Sequence, residues 1–343
     1  MVGSYREAGV DIEEGKRAVE LIGRAAAATT TSAVLAGVGG FASLFRFDPS
    51  VYADPVLVAS TDSVGTKLKV AIGIGRHDTV GIDIVNHCIN DVAVTGADPL
   101  FFLDYLGVGR LRAEVAAQIL SGVASACAAA GVALVGGETA ELPDLYAPDD
   151  YDLAGFMVGA VARADVIDGS RVRAGDALLG LPSSGLHTNG YSLVRRVFPE
   201  PEWNDEPPGL GRTLGDELLV PHRSYLDEIR ILRRGLRSAG DDVRALAHLT
   251  GGGWVENIPR TLPPPLGVEV RVASWTVPRI FSLLQQRADI DDAEMVRTFN
   301  LGIGLTVVVA SRLAAKARRL LPDAVEVGRV VEVPDGEPRV RFV

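Results

Sequence analysis

The sequence predicts a mixed α/β protein of two domains, and three observations support this class. The chain has 343 residues, and domains of roughly 150 residues give about two of them. Apolar runs of strand length alternate with longer segments of helical periodicity. In both halves an apolar strand leads into a loop of Gly, Ser, Thr and Asp before a helix, which is where α/β proteins usually bind ligands.

In the first half, strands and helices are predicted in alternation. The first helix is predicted over 12–28, with Asp11 available to cap its N-terminus. Short apolar runs then predict strands over 56–60, 100–109, 132–135 and 153–161. Helical patterns fall over 77–96, which Gly96 and Pro99 end, and over the Ala-rich segment 112–130.

The charged, turn-rich segment 163–176 is the predicted domain junction. It separates an N-terminal domain over 1–166 from a C-terminal domain over 167–343. In the second domain, strands are predicted over 177–181, 267–272, 303–310 and 325–333. Helices are predicted there over 191–198, 225–236, 277–286 and 312–321, with another starting at Trp254. The segment 199–212 holds four prolines and four acids and is predicted as an exposed loop.

Composition and charge restrict the function. The 34 basic and 44 acidic side chains give a net charge of −10, which argues against a nucleic-acid or anionic-membrane surface. No apolar run approaching the ~18 residues of a membrane span is expected, and the acidic N-terminus excludes a targeting peptide. Cys88 and Cys127 fall in predicted helices, so we expect free thiols and a cytoplasmic protein.

The common nucleotide signatures are missing: the sequence contains no P-loop and no dinucleotide-binding glycine spacing. The polar run from Thr61 to Lys67 follows a predicted strand instead. There Asp62 can bind Mg²⁺, Lys67 can contact phosphate, and Gly65 lets main-chain N–H groups approach it. From this run alone, a solvated loop with an incidental ion pair is a slightly better explanation.

Further acidic residues could bind a divalent cation. Asp83, His87 and Asp91 lie at i, i+4 and i+8 on one helix face; an exposed face explains the first two, and Asp91 is favoured as a metal ligand. Glu138 and Glu141 follow a buried strand, within a run that includes Gly137 and Thr139. Acids near a helix N-terminus would explain that pair equally well.

The segment 183–192 is the densest cluster of hydrogen-bonding groups, and because it opens a helix its amides could bind an anion. It contains Ser183, Ser184, Gly185, His187, Asn189 and Tyr191. His187 could transfer a proton near neutral pH, although loop histidines are more often exposed and inert. A second such turn contains Thr250, Gly251 and Gly252. The segment with Gly37, Gly39, Gly40 and Phe41 precedes no helix and is predicted to be a mobile flap.

A conjunction of motifs identifies a family. In the first half these are S-Y-R-E-A-G-V-D-I at 4–12, the 37–45 stretch, T-D-S-V-G-T-K-L at 61–68, H-D-T-V-G-I-D at 77–83, N-D at 90–91, G-A-D-P-L-F-F-L-D-Y at 96–105 and G-G-E-T-A-E at 136–141. In the second half they are S-S-G-L-H-T-N-G-Y-S-L-V-R at 183–195, H-L-T-G-G-G-W-V-E-N-I-P-R at 248–260 and F-N-L-G-I-G at 299–304. Nearly end to end, the chain resembles the phosphoribosylformylglycinamidine cyclo-ligases of purine biosynthesis, also called aminoimidazole ribonucleotide synthetases.

The resemblance implies an ATP-dependent ring closure by a homodimer whose N-terminal domains share a β-barrel. Magnesium would be held by Asp62, Asp91, Glu138 and Glu141. Catalysis would involve Lys67, Asp91 and His187. ATP would contact Gly37, Gly39, Gly40, Phe41, Thr61, Asp62, Lys67, Asp91, Gly137, Glu138 and Thr139, with 37–41 closing as a lid. The substrate would contact Ser183, Ser184, Gly185, His187, Asn189, Tyr191, Thr250, Gly251 and Gly252.

Two alternative functions, and one difference from the family's sequence pattern, bear on this interpretation. A selenophosphate synthetase should have a reactive cysteine in a flexible N-terminal loop, whereas both cysteines here fall in predicted helices. A protein that binds nucleotide without turnover is opposed by the joint presence of Asp62, Lys67, Asp91 and His187. Ser63 stands where this family has a glycine, and would strain the loop if the position needs a positive φ.

Overall fold

The computed structural model describes residues 12–343, so the motif residues before Ile12 and the proposed cap Asp11 lie outside the described part of the chain. Two compact units divide it. The first contains the chain up to Val92 together with Ala97–Ala164 and Glu200–Asn204; the second contains Ala93–Gly96, Asp165–Pro199 and Asp205–Val343. Each unit has its own sheet, and the predicted mixed α/β class is confirmed.

The N-terminal unit is built on a four-stranded sheet covered by helices. Its strands are β1 Val34–Ala36, β2 Leu44–Phe45, β3 Pro55–Ser63, β4 Asp98–Val108, β5 Ala133–Glu141 and β6 Tyr151–Ala162. Its helices are α1 Ile12–Ala27, α2 Leu68–Ile74, α3 Asp78–Ala93 and α4 Ala113–Ala130. The sheet order is β3-β6-β4-β5, with β4 and β5 parallel and the other pairs antiparallel, while β1 and β2 form a separate ribbon.

Two predicted loops of this unit are wrong, because both segments continue a strand. Thr61, Asp62 and Ser63 belong to β3, where they pair with the long strand β6. The G-G-E-T-A-E run belongs to β5 and pairs with β4 through Glu141. Polar and glycine residues are poor strand formers on their own, but a long neighbouring strand supplies main-chain hydrogen bonds that outweigh that preference.

The C-terminal unit is built on a six-stranded sheet in the order β12-β9-β11-β7-β10-β8. Its strands are β7 Ala177–Pro182, β8 Ala245–His248, β9 Leu266–Val270, β10 Ile303–Val309, β11 Val325–Glu332 and β12 Val340–Phe342. Its helices are α5 Tyr191–Val197, α6 Leu214–Leu218, α7 Leu226–Arg237, α8 Gly253–Asn257, α9 Arg279–Ala288, α10 Asp292–Thr298 and α11 Ala314–Leu320. The central strands β7 and β10 are buried almost throughout, which explains their continuous apolar runs.

The predicted elements of both halves are confirmed to within a few residues at their ends. The elements that the sequence did not predict are short: α2, α6, α10, β1, β2, β8 and β12. A strand of four residues such as β8 carries too few side chains to show a period of two. Such elements depend on their neighbours, and β8 is fixed by its pairing with β10.

Two further expectations need correction. The loop after Pro199 is not wholly exposed, because Trp203 is buried in the N-terminal unit, where a Cβ placed on Gly73 of α2 would lie 2.5 Å from its ring. Helix α4 is long and apolar enough to cross a membrane by length and composition, although no such run was expected. Half of that window is buried, and α4 packs on α1, β4 and β5, as the core helix of a globular unit does.

Candidate active site

Asp62 and Asp91 meet on the helix-covered side of the N-terminal sheet. Asp62 lies near the end of β3 and Asp91 near the end of α3, and their carboxyl groups share a hydrogen bond. Ser60 Oγ lies 3.4 Å from Asp91 Oδ2, and His87 Nε2 lies 3.5 Å from Asp62 Oδ1. Burial, reinforced by Asp91, raises the pKa of Asp62 to about 7. The structure therefore brings these two predicted metal ligands together.

The chemistry of this pair fits a magnesium ion. Two carboxylates in one partly buried place repel each other, so they share a proton or bind a cation. Hard oxygen ligands are the ones that Mg²⁺ prefers, and it usually takes one or two carboxylates together with phosphate oxygens and water. The neighbouring His87 is buried, so the expectation that Asp83 and His87 form an exposed face is wrong.

Lys67 forms a fully buried ion pair with Asp83. Its Nζ lies 2.9 Å from Oδ1 and 2.8 Å from Oδ2 of that carboxylate, and both side chains are inaccessible to solvent. Burial lowers the pKa of Lys67, and the facing carboxylate opposes that effect. The ammonium group thus faces Asp83 rather than a groove, and its contact with phosphate stays a prediction.

Glu138 and Glu141 do not join the aspartate pair within this sheet, which corrects the expectation of four clustered ligands. They lie on β5, at the opposite edge from β3. Three strand spacings of about 4.8 Å separate these edges, or roughly 14 Å. Glu141 Oε1 instead accepts a hydrogen bond from the main-chain N–H of Leu111 at 2.8 Å.

The predicted flap and the glycine-rich strand β5 lie side by side. The flap connects β1 to β2, and Ser43, just beyond it, donates a hydrogen bond to the main-chain oxygen of Val135. Val38 of the flap and Gly137 of β5 line one cavity of about 180 Å³. The structure therefore brings together two segments that were separately predicted to contact ATP.

Two other predicted nucleotide contacts are placed less favourably or differently than expected, and Ser63 does not have the strain expected of it. Phe41 is fully exposed at the tip of the flap. Thr61 precedes Asp62 within a strand, so the two side chains project from opposite faces. Ser63 also lies in extended β3 and is not among the residues of positive φ, so serine at this position causes no backbone strain.

The serine-rich loop of the C-terminal unit is held by a dense set of hydrogen bonds. Ser183 Oγ donates to the main-chain oxygen of Gly185 at 2.9 Å, and Asn300 Nδ2 donates to the same oxygen at 2.9 Å. Ser184 Oγ donates to the main-chain oxygen of Pro221 at 2.6 Å. The side-chain hydroxyls are thereby fixed before any ligand binds, which lowers the entropy cost of binding.

The second glycine turn meets this loop. Asn257 Nδ2 donates to the main-chain oxygens of Gly251 and Gly253, at 3.1 and 2.7 Å. A Cβ placed on Gly251 would lie 3.4 Å from Asn189 Oδ1, so the two predicted substrate segments are adjacent. Asn189 Nδ2 is buried and has no hydrogen-bond partner among the described residues, which leaves a donor for a ligand.

His187 lies in a cluster of three buried histidines rather than on an exposed loop. Its ring stacks on that of His222 with centroids 3.9 Å apart, and its Nε2 accepts from the Ser184 N–H at 3.2 Å. His222 Nε2 lies 2.9 Å from His248 Nε2, so one proton lies between them. The ring nitrogens of His187, His222 and His248 lie within 4.8 Å of one another, so the cluster could hold a metal ion as well as pass a proton between His222 and His248.

Sequence reasoning missed four residues of this region as site residues: Asn257, His222, His248 and Asn300. Asn300 lies in the F-N-L-G motif that carried the resemblance, so that motif could have identified it as a site residue. His222 lies between a proline and an arginine in a segment without periodicity, and nothing local connects it to His187 or His248.

The chain matches two models of one protein family. The N-terminal domain of AIR synthase related proteins matches residues 46–161, and the C-terminal domain matches residues 173–341. A phosphoribosylformylglycinamidine cyclo-ligase of Desulfitobacterium hafniense is 52% identical over 306 residues, covering 89% of each chain. One of Thermoanaerobacter pseudethanolicus is 48% identical over 340 residues, covering 97% of this chain and 99% of the relative. This chain belongs to the phosphoribosylformylglycinamidine cyclo-ligase family. The resemblance seen in the motifs is confirmed.

Solved structures share the fold of this family member at low identity. The E. coli HypE structure aligns with a TM-score of 0.66 at 21% identity, covering 94% of this chain and 92% of that one. Thiamine-monophosphate kinase from Stenotrophomonas maltophilia gives a TM-score of 0.65 at 19% identity, covering 94% and 95%. A hydrogenase maturation protein HypE in complex with ATP gives 0.65 at 18%, covering 92% and 88%. At these identities the likeness concerns the fold alone.

Proposed function

We propose that this chain catalyses the ATP-dependent cyclisation of formylglycinamidine ribonucleotide to aminoimidazole ribonucleotide, releasing ADP and phosphate, in purine biosynthesis. The observation that carries the proposal is about 50% identity, over nearly the full chain, to proteins named phosphoribosylformylglycinamidine cyclo-ligase. The enzyme is an ATP-dependent ligase that forms a C–N bond.

In this reaction the γ-phosphoryl group of ATP passes to the formyl oxygen of the substrate. The side-chain nitrogen then attacks the activated carbon, loses a proton and closes the ring as phosphate leaves. Phosphoryl transfer needs positioning and charge neutralisation more than covalent catalysis. The polar loops of the C-terminal unit suit this need, because hydrogen bonds hold them in place before ligands bind.

The N-terminal unit is proposed to bind ATP and magnesium. Asp62 and Asp91 would hold Mg²⁺, which when bound neutralises negative charge on the phosphate oxygens. The flap and β5 would hold the nucleotide, with Gly37, Gly39, Gly40, Phe41 and Gly137, Glu138, Thr139 as the contacts, and the flap would exclude water on closing. ATP use is supported by the ATP complex of a protein that shares the fold. Lys67, Thr61 and Glu141 remain predicted ligands of this unit.

The C-terminal unit is proposed to bind the substrate. The main-chain N–H groups of the loop before α5 and of the turn before α8 would hold the ribose phosphate. Asn189, whose amide N–H₂ has no partner among the described residues, would donate to the amidine-bearing part of the substrate. His187 would accept the proton that the attacking nitrogen loses.

The chain is proposed to act as a cytoplasmic homodimer. Strands β3 and β5 are the edges of the N-terminal sheet, and sheet edges can pair with another chain. The face away from the helices exposes Leu57 and Phe156, so burying it in a shared β-barrel would remove apolar surface from water. The buried free thiols Cys88 and Cys127 suit a reducing compartment.

Neither nucleic acid nor membrane is a proposed partner, since the net charge is −10. No P-loop is proposed for the nucleotide site, because the sequence lacks that motif. The boundary between the two domains is proposed at residues 166 and 167, within the interval that the two family models leave between them.

The proposal is tested by supplying formylglycinamidine ribonucleotide, ATP and Mg²⁺ to the purified protein. We expect ADP and aminoimidazole ribonucleotide in equal amounts, and neither product when the ribonucleotide is left out. ADP release without the aminoimidazole would indicate an ATPase, and absence of both products would contradict the proposed function. The exposed-surface variant Asp227→Asn serves as the matched control for carboxylate variants.

A further inference from the structure

The carboxyl group of Asp104 is buried in the N-terminal unit without a compensating charge. Asp104 lies in the middle of β4 and is only 6% exposed. Among the described residues no cation acts on it; its own main-chain N–H lowers its pKa, and the buried Cys127 thiol is near enough for Asp104 to raise the pKa of that thiol. Burial raises its pKa to about 7. A buried acid without a compensating charge is costly, so a ligand that donates a hydrogen bond to it is expected.

The carboxyl group forms the floor of the cavity between the flap, α1 and β5. In the sheet register Asp104 pairs with Gly137, where a Cβ would lie 2.7 Å from the Asp104 Cγ. Glycine at that position leaves the carboxyl room. The apolar part of the wall comprises Val19 and Ile22 of α1, Val38 of the flap and Leu134 of β5, and the polar part comprises Glu138 and Thr139 of β5.

We propose that this cavity receives the adenine base of ATP, and that Asp104 selects it by accepting a hydrogen bond from the exocyclic amino group. This inference rests on the proposed function, since it assigns one part of the ATP that the function requires. The inference is based on one cavity that both the flap and the glycine-rich strand β5 line. The Asp104 carboxyl group, a hydrogen-bond acceptor, lies at the floor of this cavity.

Size, shape and charge distinguish the parts of ATP. A cavity of about 180 Å³ is smaller than the roughly 300–1,000 Å³ that holds an entire ligand of drug size, so it takes one portion of the nucleotide. A buried carboxyl group repels the triphosphate. The apolar walls pack on the flat faces of a base, and the base carries the amino donor. The ribose, which exposes hydroxyls on several sides, suits these walls less.

The test compares binding of ATP, inosine triphosphate and 2′-deoxy-ATP by calorimetry in the presence of Mg²⁺. Inosine triphosphate has an oxygen in place of the amino group. We expect wild type to bind ATP at least about tenfold more tightly than inosine triphosphate, the effect of one hydrogen bond to a charged group. Asp104→Ala should lose that preference by weakening ATP binding, whereas Asp227→Asn should keep it.

Three outcomes overturn the proposal. Equal affinity of wild type for ATP and inosine triphosphate is the first, and it needs no variant that might misfold. The second is an unchanged preference for ATP over inosine triphosphate in a folded Asp104→Ala protein. The near-isosteric variant Asp104→Asn is measured in the same way. The third is loss of a preference for ATP over 2′-deoxy-ATP in these variants, which would assign the carboxyl group to the ribose.

These results are independent of the proposed activity. Selective binding of ATP without ring closure would support the inference and contradict the proposed function. Ring closure with equal use of both triphosphates would support the proposed function and contradict the inference.

Discussion

The carboxyl groups of Asp62, on β3, and Asp91, on α3, share a hydrogen bond on the helix-covered side of the N-terminal sheet. One residue comes from a strand and the other from a helix that precedes the next strand in the chain. Two acids in this position disfavour each other's ionised form, so the folded protein bears a cost that a bound cation relieves. This relationship supports the proposed magnesium site and determines the first prediction.

Asp91→Asn is expected to lower kcat by about 10²–10³-fold, the effect of removing one preorganised electrostatic contact. The same change removes the repulsion of Asp62, so the free energy of unfolding without Mg²⁺ should stay equal or rise. Steady-state ADP release and thermal unfolding measure the two effects. A wild-type rate would show that Asp91 is not a metal ligand, and Asp227→Asn should leave both quantities unchanged.

Stability without nucleotide is expected to depend on Asp104 as the pH changes. Its folded pKa of about 7 exceeds the ordinary aspartate value of 3.8, so between about pH 4 and pH 7 the native state binds more protons than the unfolded state. Its contribution to the free energy of unfolding therefore falls as pH rises through this window, by a few kcal/mol, and is constant outside it.

The difference in free energy of unfolding between wild type and Asp104→Asn isolates this effect, because other groups cancel. Urea unfolding at half-unit steps from pH 4 to pH 8 measures it. A difference that does not change with pH would show that Asp104 has no raised pKa.

Lys67→Met is expected to destabilise the N-terminal unit by about 3–5 kcal/mol, because Asp83 is left buried without its cation. The double variant Lys67→Met with Asp83→Leu should recover most of that loss, since two apolar residues replace the pair. The double variant therefore separates the effect of Lys67 on stability from its effect on phosphate binding. If Lys67 also contacts ATP, the double variant should raise the KM for ATP about tenfold or more; an unchanged KM would restrict Lys67 to a structural role.

His222→Phe keeps an aromatic ring against His187 but removes the bond to His248, and is expected to lower kcat more than tenfold. The loss of stability should be about 1–3 kcal/mol, since His248 loses a buried partner. The control is His77→Phe, which removes a buried bond of 2.9 Å to the Tyr151 hydroxyl. That variant should lose similar stability at an unchanged kcat. Equal effects of both variants on kcat would contradict a role of the histidine pair in proton transfer.

Much of the candidate site could be predicted from the sequence, because its residues form contiguous motifs. The segments 183–192 and 250–253 are rich in hydrogen-bonding groups or glycine, and the structure confirms that they are adjacent through Asn189 and Gly251. The geometry of these two segments could not be predicted from the sequence. The bonds that fix these loops come from Asn257 and Asn300, and nothing local in the chain relates those amides to the oxygens they bind.

The sequence by itself determined the mixed α/β class, the family and most of the longer helices and strands, because periodicity and motifs are local properties of the chain. The tertiary structure decided which acids meet: Asp62 lies beside Asp91, while Glu138 lies at the far edge of the same sheet. It also showed that Lys67 is enclosed with Asp83 and that Asp104 has no compensating charge within the part of the chain that the structure describes. Burial and cross-strand register set the electrostatic environment of an ionisable group, and both depend on residues distant in the chain.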